Sequence, residues 1–255
     1  MKTSRIAFYG VVLAMALFPS LALAQAANSQ NLTLDLTGGG VMTERLMQIV
    51  GLVTILSLAP SILIMMTCFT RIVVVLSLLR TAIGIQQSPP NSVIVSLALF
   101  LTFFVMAPTF NEVYQNAMQP LIEQKIDTTE ALTRAADPVK KFMAAHTRAD
   151  DLGLFVNMSK SPQPLTIQSA PLQALVPAFM LSELKRAFEI GFLIFVPFLI
   201  IDMAIASILM SMGMMMLPPI VISLPFKLIF FVLVDGWRLV AGSLVASYGA
   251  GITPQ

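Results

Sequence analysis

The chain has 255 residues, 57% of them hydrophobic and only 11% charged, and its mean hydropathy is +0.86. Soluble domains carry about a quarter charged residues, so this composition belongs to the membrane class. A formal net charge of +2, one cysteine and one histidine exclude an intrachain disulfide and a multi-cysteine metal site, and leave almost no material for histidine-based metal or triad chemistry.

Residues 1–24 read as a cleavable signal peptide. Lys2 and Arg5 form a positive n-region, and Ile6 to Phe18 an apolar core too short to span a bilayer. Ala22-Leu23-Ala24 supplies a cleavage site before Gln25. An uncleaved anchor is the alternative. Cleavage removes two positive charges, leaving 13 basic against 13 acidic residues. No basic excess then points to nucleic acid as a partner. The mature N-terminus would lie outside the cytoplasm.

Residues 25–45 form a polar lead with Gly38-Gly39-Gly40, expected to be flexible because glycine loses much backbone entropy on ordering. No strand precedes these glycines and no Gly-Lys-Ser/Thr follows, so they are a poor phosphate loop.

A first hydrophobic helical hairpin is expected over residues 46–110. Leu46 to Leu79 is apolar apart from Thr, Ser, Gln48 and Arg71, and exceeds one bilayer crossing of about 20 residues. Pro60 should kink it. Arg71 should mark where it leaves the hydrocarbon or meets a partner. Gly84 to Asn91 is a turn signal, and Val93 to Pro108 is a second apolar helix of marginal spanning length. With a periplasmic N-terminus, Arg71 and Arg80 fall on the cytoplasmic side, as the positive-inside tendency asks.

Residues 111–189 hold 17 of the 28 charged residues and read as a polar, periplasmic helical region. Asp127-Thr128-Thr129-Glu130 is a capping-box pattern opening one helix. Asp137-Pro138 repeats the start for a second, and Asp150-Asp151-Leu152 opens a third, ended by Ser161-Pro162-Gln163-Pro164. Phe142 and Phe155 read as core residues of this region and His146 as a surface residue.

Residues 190–255 should form a second hydrophobic hairpin with a methionine-rich loop and a C-terminal tail. Its helices are Ile190 to Met210 and Ile220 to Leu233. Asp202 and Lys227 each sit near the middle of an apolar helix, where a lone charge costs about 2.5–3.5 kcal/mol on insertion scales. Both should therefore pair, face water or lie in an interface, with Glu183 and Lys185 as further candidate partners. A proton relay or ion pairs between subunits would each use such groups, and structural pairing is the preferred reading.

Between these helices, Met210, Met212, Met214, Met215 and Met216 crowd around Gly213 ahead of Pro218-Pro219. Methionine is unbranched and polarizable, so it repacks around changing partners. The cluster reads either as a methionine-rich interface turn or as a deformable seal. Repeated around identical subunits, it would close a pore to ions yet yield to a polypeptide. No Gly-x-Ser-x-Gly, His-Glu-x-x-His or phosphate loop occurs, and an enzyme is not expected.

Several ordered motifs resemble one family. Pro177-Ala178-Phe179-Met180-Leu181-Ser182-Glu183-Leu184, Gly191-Phe192, and Pro197-Phe198-Leu199-Ile200-Ile201-Asp202 look like the signature of the flagellar biosynthesis FliP family, which includes the R-type proteins of injectisomes. Gly213 to Pro219, Leu224-Pro225-Phe226-Lys227, Val234-Asp235-Gly236-Trp237 and the Arg71 to Pro108 hairpin extend the match.

The resemblance implies an all-α, pore-forming subunit of the flagellar type III protein export gate in the inner membrane and basal body, conducting unfolded flagellar proteins. It implies a homo-oligomer of several copies that joins FliQ and FliR in a helical, conical complex lifted toward the periplasm, with no cofactor. Under it, Met214, Met215 and Met216 become a pore gasket, Phe142 and Phe155 plug residues, and Glu183 and Lys227 an intersubunit ion pair. Asp202 stays an unassigned membrane-depth charge. The equivalent injectisome subunit is the alternative within this class, and an ion-coupled membrane transporter using Asp202 and Lys227 the alternative outside it.

Overall fold

The computed structural model describes residues 46–249 except 48, 52, 55–56, 58–60, 63, 86–87, 159–169 and 215–216. The signal peptide, the glycine lead, the Pro60 kink and the Ser161-Pro164 break lie outside the described residues. The chain divides into two compact units, Met1–Leu56 and Ser57–Gln255. In the first, residues 46–54 are helical wherever described, and the Thr54 hydroxyl donates to the Val50 carbonyl at 2.7 Å.

The second unit is built from helices, and no strand occurs among the described residues. Helix α1, Phe69–Ile83, ends at Gly84, whose φ of 91° suits the left-handed C-cap that glycine adopts without a Cβ penalty. The turn after it is held by Arg80, which donates to Asn91 Oδ1 at 2.6 Å and to the Pro89 carbonyl at 3.3 Å. Helix α2, Asn91–Val113, returns antiparallel, so that Cys68 at the start of α1 comes beside Thr102. It does not stop at Pro108 as expected. It runs on through a π-helical turn, Tyr114–Met118, and one more turn, Gln119–Ile122, making a rod of 32 residues. Pro108 removes one backbone bond, to the Phe104 carbonyl, and the apolar turns on either side hold the helix together.

Helix α3, Thr128–His146, likewise passes through Pro138 in place of the two helices expected there. Asp127 is its N-cap residue with extended backbone, but its side chain makes no capping bond, and Glu130 pairs instead with Arg134 at 2.5 Å. Helix α4, Ala149–Met158, starts with Asp150 and Asp151 in its first turn, where acids complement the helix dipole. Ser182 fastens that start to the next helix: its hydroxyl accepts the Arg148 N–H at 3.0 Å and donates to Asp151 Oδ2 at 2.6 Å.

Helix α5, Leu172–Ser211, is the spine. Its 40 residues span about 60 Å at 1.5 Å per residue, twice the roughly 30 Å hydrocarbon layer. The polar and apolar parts expected to meet at 189/190 are one unbroken helix, with Pro177 and Pro197 inside it. Three apolar clusters follow one another along α5. Ala174 to Phe179 pack with α3 and α4, Ala187 with α1 and α2, and Phe198 with the end of α1.

Helices α1 and α5 run parallel, since Arg71 lies beside Glu183 and Leu78 beside Gly191. Gly191 permits that approach: a Cβ there would stand 2.3 Å from Leu78 Cδ1. Helix α6, Pro219–Leu233, folds back along α5 and begins with proline at its first position, where no N–H is needed. Helix α7, Gly236–Ala246, is bent 60° from α6 across Asp235, which sits at φ 50°. The Asn91–Ile122 rod and α5 are long and apolar enough to cross a membrane, and α6 with α7 makes a third if the bent pair is one span.

Candidate functional site: two buried ion pairs and a methionine loop

Within one chain Arg71, Glu183, Asp202 and Lys227 are closed onto each other in two groups. In the first, Arg71 and Glu183 are 1% and 0% exposed. Arg71 Nε donates to Glu183 Oε2 at 2.9 Å, and Nη2 binds Oε1, so the planar fork is used bidentately. The Tyr248 hydroxyl donates to the same Oε2. Arg71 also donates to Ser247 Oγ at 3.1 Å, and its guanidinium lies 3.9 Å from the Tyr248 ring centre, a cation–π contact. Every charge-bearing atom therefore has a partner, which a buried pair needs to survive its desolvation cost. The group ties α1, α5 and the segment after α7 together.

In the second group Lys227 Nζ donates to Asp202 Oδ2 at 2.7 Å and to the Ala82 carbonyl at 3.4 Å. Ser223 Oγ donates to Asp202 Oδ1. The Lys227 side chain is 6% exposed and that of Asp202 26%. Asp202 thus gains the partner that the sequence left open. Glu183 and Lys227 are not brought together within the chain, because each is closed onto a nearer charge, and Lys185 is exposed.

The methionine cluster begins where α5 ends. Gly213, at φ 75°, donates to the Met210 carbonyl at 3.1 Å, and Met214 N–H reaches back to the Leu209 carbonyl at 3.0 Å. This is a Schellman termination, in which a left-handed glycine lets the chain leave the helix axis while satisfying orphan carbonyls. Met210, Met212 and Met214 are 57%, 65% and 44% exposed. Met215 and Met216 lie outside the described residues. Asp202 stands nine residues before the end of α5, about 14 Å below the loop at 1.5 Å per residue.

Phe142 and Phe155 are half-buried and pack inside the chain. Phe142 stacks on Tyr248 and meets Phe179 edge-on, both at 6.1 Å between ring centres, and lies 4.5 Å from His146. His146 departs from its expected surface position. Its ring is half-buried against Phe142 and Tyr248, and Nδ1 lies 2.8 Å from the Phe142 carbonyl, so Nδ1 carries the proton. Burial pushes its pKa below the usual imidazole value. Sequence reasoning did not single out Tyr248 or Ser223. Both are neutral hydroxyls in apolar tracts, and such tracts tolerate them without the anomaly a charge creates.

Among the described residues, no group of three or more His, Cys, Asp or Glu side chains is placed to hold a metal ion. Fold and site together define an all-helical protein whose apolar helices are long enough to cross a membrane and whose deep charges are held in pairs. A sequence profile of the FliP family matches residues 52–244. The chain is 63% identical over 239 residues to the flagellar biosynthetic protein FliP of Caulobacter vibrioides, covering 94% of this chain and 88% of that protein. It is 59% identical over 197 residues to the protein of the same name from Bacillus subtilis, covering 77% and 89%. The corresponding Aquifex aeolicus protein is 55% identical over 197 residues, covering 76% and 82%. The chain belongs to the FliP family, as the motifs between Pro177 and Trp237 imply.

Proposed function

We propose that the chain is a pore-forming subunit of the flagellar type III protein export gate, conducting unfolded flagellar proteins across the inner membrane. The observation that carries this reading is the methionine loop. Met210, Met212 and Met214 stand exposed at the end of a 40-residue helix, beyond the last internal ion pair. Thioether side chains there suit a surface that must close and then deform, and they offer no rigid site for a small solute.

Helices α5 and α6 support assembly. Phe192, Leu193, Ile200, Met203, Val232 and Leu233 are all more than 60% exposed in the single chain. Lipid or neighbouring subunits would cover such faces, and α5 is too long to lie wholly in lipid. The gate is then a homo-oligomer of several copies with FliQ and FliR as partners, conical and projecting toward the periplasm. Met214, Met215 and Met216 line its gasket, and Phe142 and Phe155 are its plug residues. The flagellar name of the similar proteins supports the flagellar system over an injectisome. No catalytic step is required of this subunit.

Co-expression with FliQ and FliR, followed by native mass measurement, tests the assembly. One complex containing several copies of the chain is expected. A chain that stays monomeric in the presence of both partners overturns it.

A further inference from the structure

We infer that α7 and the residues closing it, Ser247 and Tyr248, form an acid-released strap with His146 as its proton sensor. The strap is held at its two ends. At its start Gly236 follows the Asp235 bend and lies so close under the Phe231 ring that a Cβ would not fit. At its end Leu244, Val245 and Tyr248 are buried in the core shared with Cys68, Ile72 and Ala187. Between them Trp237 and Leu239 face outward, 40% and 60% exposed. Among the described residues, the side-chain hydrogen bonds from the strap to other helices both go to one ion pair: Arg71 donates to Ser247, and Tyr248 donates to Glu183. The bidentate bonds between Arg71 and Glu183 do not involve the strap, so it can lift without separating the pair.

His146 is built into the seat of Tyr248. The two ring centres lie 5.1 Å apart, Phe142 packs on both rings, and the Arg71 guanidinium lies 3.9 Å from the centre of the same tyrosine ring. The Phe142 carbonyl takes the proton on Nδ1, so a second proton must go to Nε2. The charges facing the imidazole are Arg71 of α1 and Glu183 and Arg186 of α5. Glu183 already accepts hydrogen bonds from Arg71 and Tyr248. Toward α4, Asp151 is taken by Ser182 and Asp150 pairs with Arg148, while the Cys68 thiol of α1 points to the Thr102 carbonyl. An imidazolium here would face two cations and one occupied carboxylate, with aromatic rings in place of much of its water. Burial, helped by the two arginines, outweighs Glu183 and the Phe142 carbonyl, so the seated ring resists protonation.

Lifting Tyr248 removes one wall of that seat and lets water reach the imidazole. The open state therefore takes up a proton more readily than the closed one, and acid favours it by linkage. The strap is closed above the ordinary imidazole value near 6.5, and the open fraction grows as pH falls from there to the folded pKa. Within that interval the opening constant gains up to about tenfold per pH unit. Asp235, held at φ 50° where α7 departs from α6 at 60°, is the hinge. None of this depends on the export-gate reading.

Cys68, the chain's one cysteine, is fully buried in the same core as Tyr248 and serves as a native reporter. The full-length chain in lipid vesicles is treated with an aromatic disulfide reagent between about pH 7.5 and 5.5, and each rate is divided by that of glutathione at the same pH. The normalised rate should rise severalfold toward acid. His146→Gln, or His146→Phe, which keeps a ring in the seat, should leave it low and flat. Tyr248→Ala should make Cys68 reactive across the whole range. Ala174→Cys on a Cys68→Ser background places a thiol in the α3–α4–α5 cluster, which the strap does not cover, and should stay protected at every pH. A flat rate in the unaltered chain, a slope that persists without His146, or a Cys68 still protected in Tyr248→Ala overturns the inference. So does Ala174→Cys reacting in step with Cys68, since general unfolding would then explain the exposure.

Discussion

Arg71 and Glu183 meet in a fully buried bidentate pair where α1 and α5 run side by side, with the Tyr248 hydroxyl on the same carboxylate. The pair joins residues 112 positions apart in the sequence, and it is the polar centre of an otherwise apolar three-way contact. Removing one member should cost about 3–5 kcal/mol, because the other charge is left buried without compensation. Arg71→Met and Glu183→Met are expected to fall in that range, and the double variant Arg71→Met/Glu183→Met to recover most of the loss. Stability in detergent, measured as a double-mutant cycle, checks this. Additive losses would mean that the two side chains act independently.

The same carboxylate makes Tyr248 testable by itself. Tyr248→Phe deletes one hydroxyl that donates to a charged, buried acceptor while keeping the ring under the guanidinium. A loss of about 1.5–3 kcal/mol is expected, as for other hydrogen bonds to charged groups. Full stability in the variant would show that the hydroxyl is dispensable to the network.

Gly191 should resist substitution. Alanine there places a methyl 2.3 Å from Leu78 Cδ1 and 3.3 Å from Leu78 Cβ, so the two parallel helices must separate or Leu78 must swing away. Overpacking of this kind costs typically 1–3 kcal/mol. Adding Leu78→Ala to Gly191→Ala should relieve part of that cost in the same melting measurement. A second loss on top of the first would contradict the close-approach account.

His146 predicts a pH dependence of known sign. Its folded pKa lies below the unfolded value of about 6.5 because burial disfavours the charged ring. The unfolded chain therefore binds a proton that the folded chain refuses. Stability is fully present above that value and declines as pH falls through the folded pKa. As the only histidine, it can be tested cleanly. His146→Gln should flatten the slope between about pH 7 and 5, above the range where carboxylates begin to titrate. An unchanged slope would assign the effect to other groups.

Much of this arrangement was legible as a need for partners and little of it as a choice of partners. Arg71, Glu183, Asp202 and Lys227 announced themselves as charges in or beside apolar helices. The parallel packing of α1 on α5, which hands Glu183 to Arg71 and leaves Lys227 to Asp202, is a tertiary fact that no local spacing encodes. The prolines misled for a related reason. Pro108, read as the end of a helix, and Pro138, read as the start of one, both lie inside helices. A proline costs roughly 3 kcal/mol in a helix interior, enough to end a marginal helix. In a long helix whose other turns are hydrogen-bonded and packed, the lost bond is tolerated. Gly213 differs from them: a left-handed glycine beyond an apolar run is a local signal that needs no distant partner.

The measurement that bears most directly on the central claim is membrane conductance in cells that make the complete export gate with Met214→Ala, Met215→Ala and Met216→Ala combined. The account predicts a leak to ions and small solutes, with the amount of assembled complex unchanged. A membrane as tight as that of the unaltered protein, with the complex fully assembled, would contradict it.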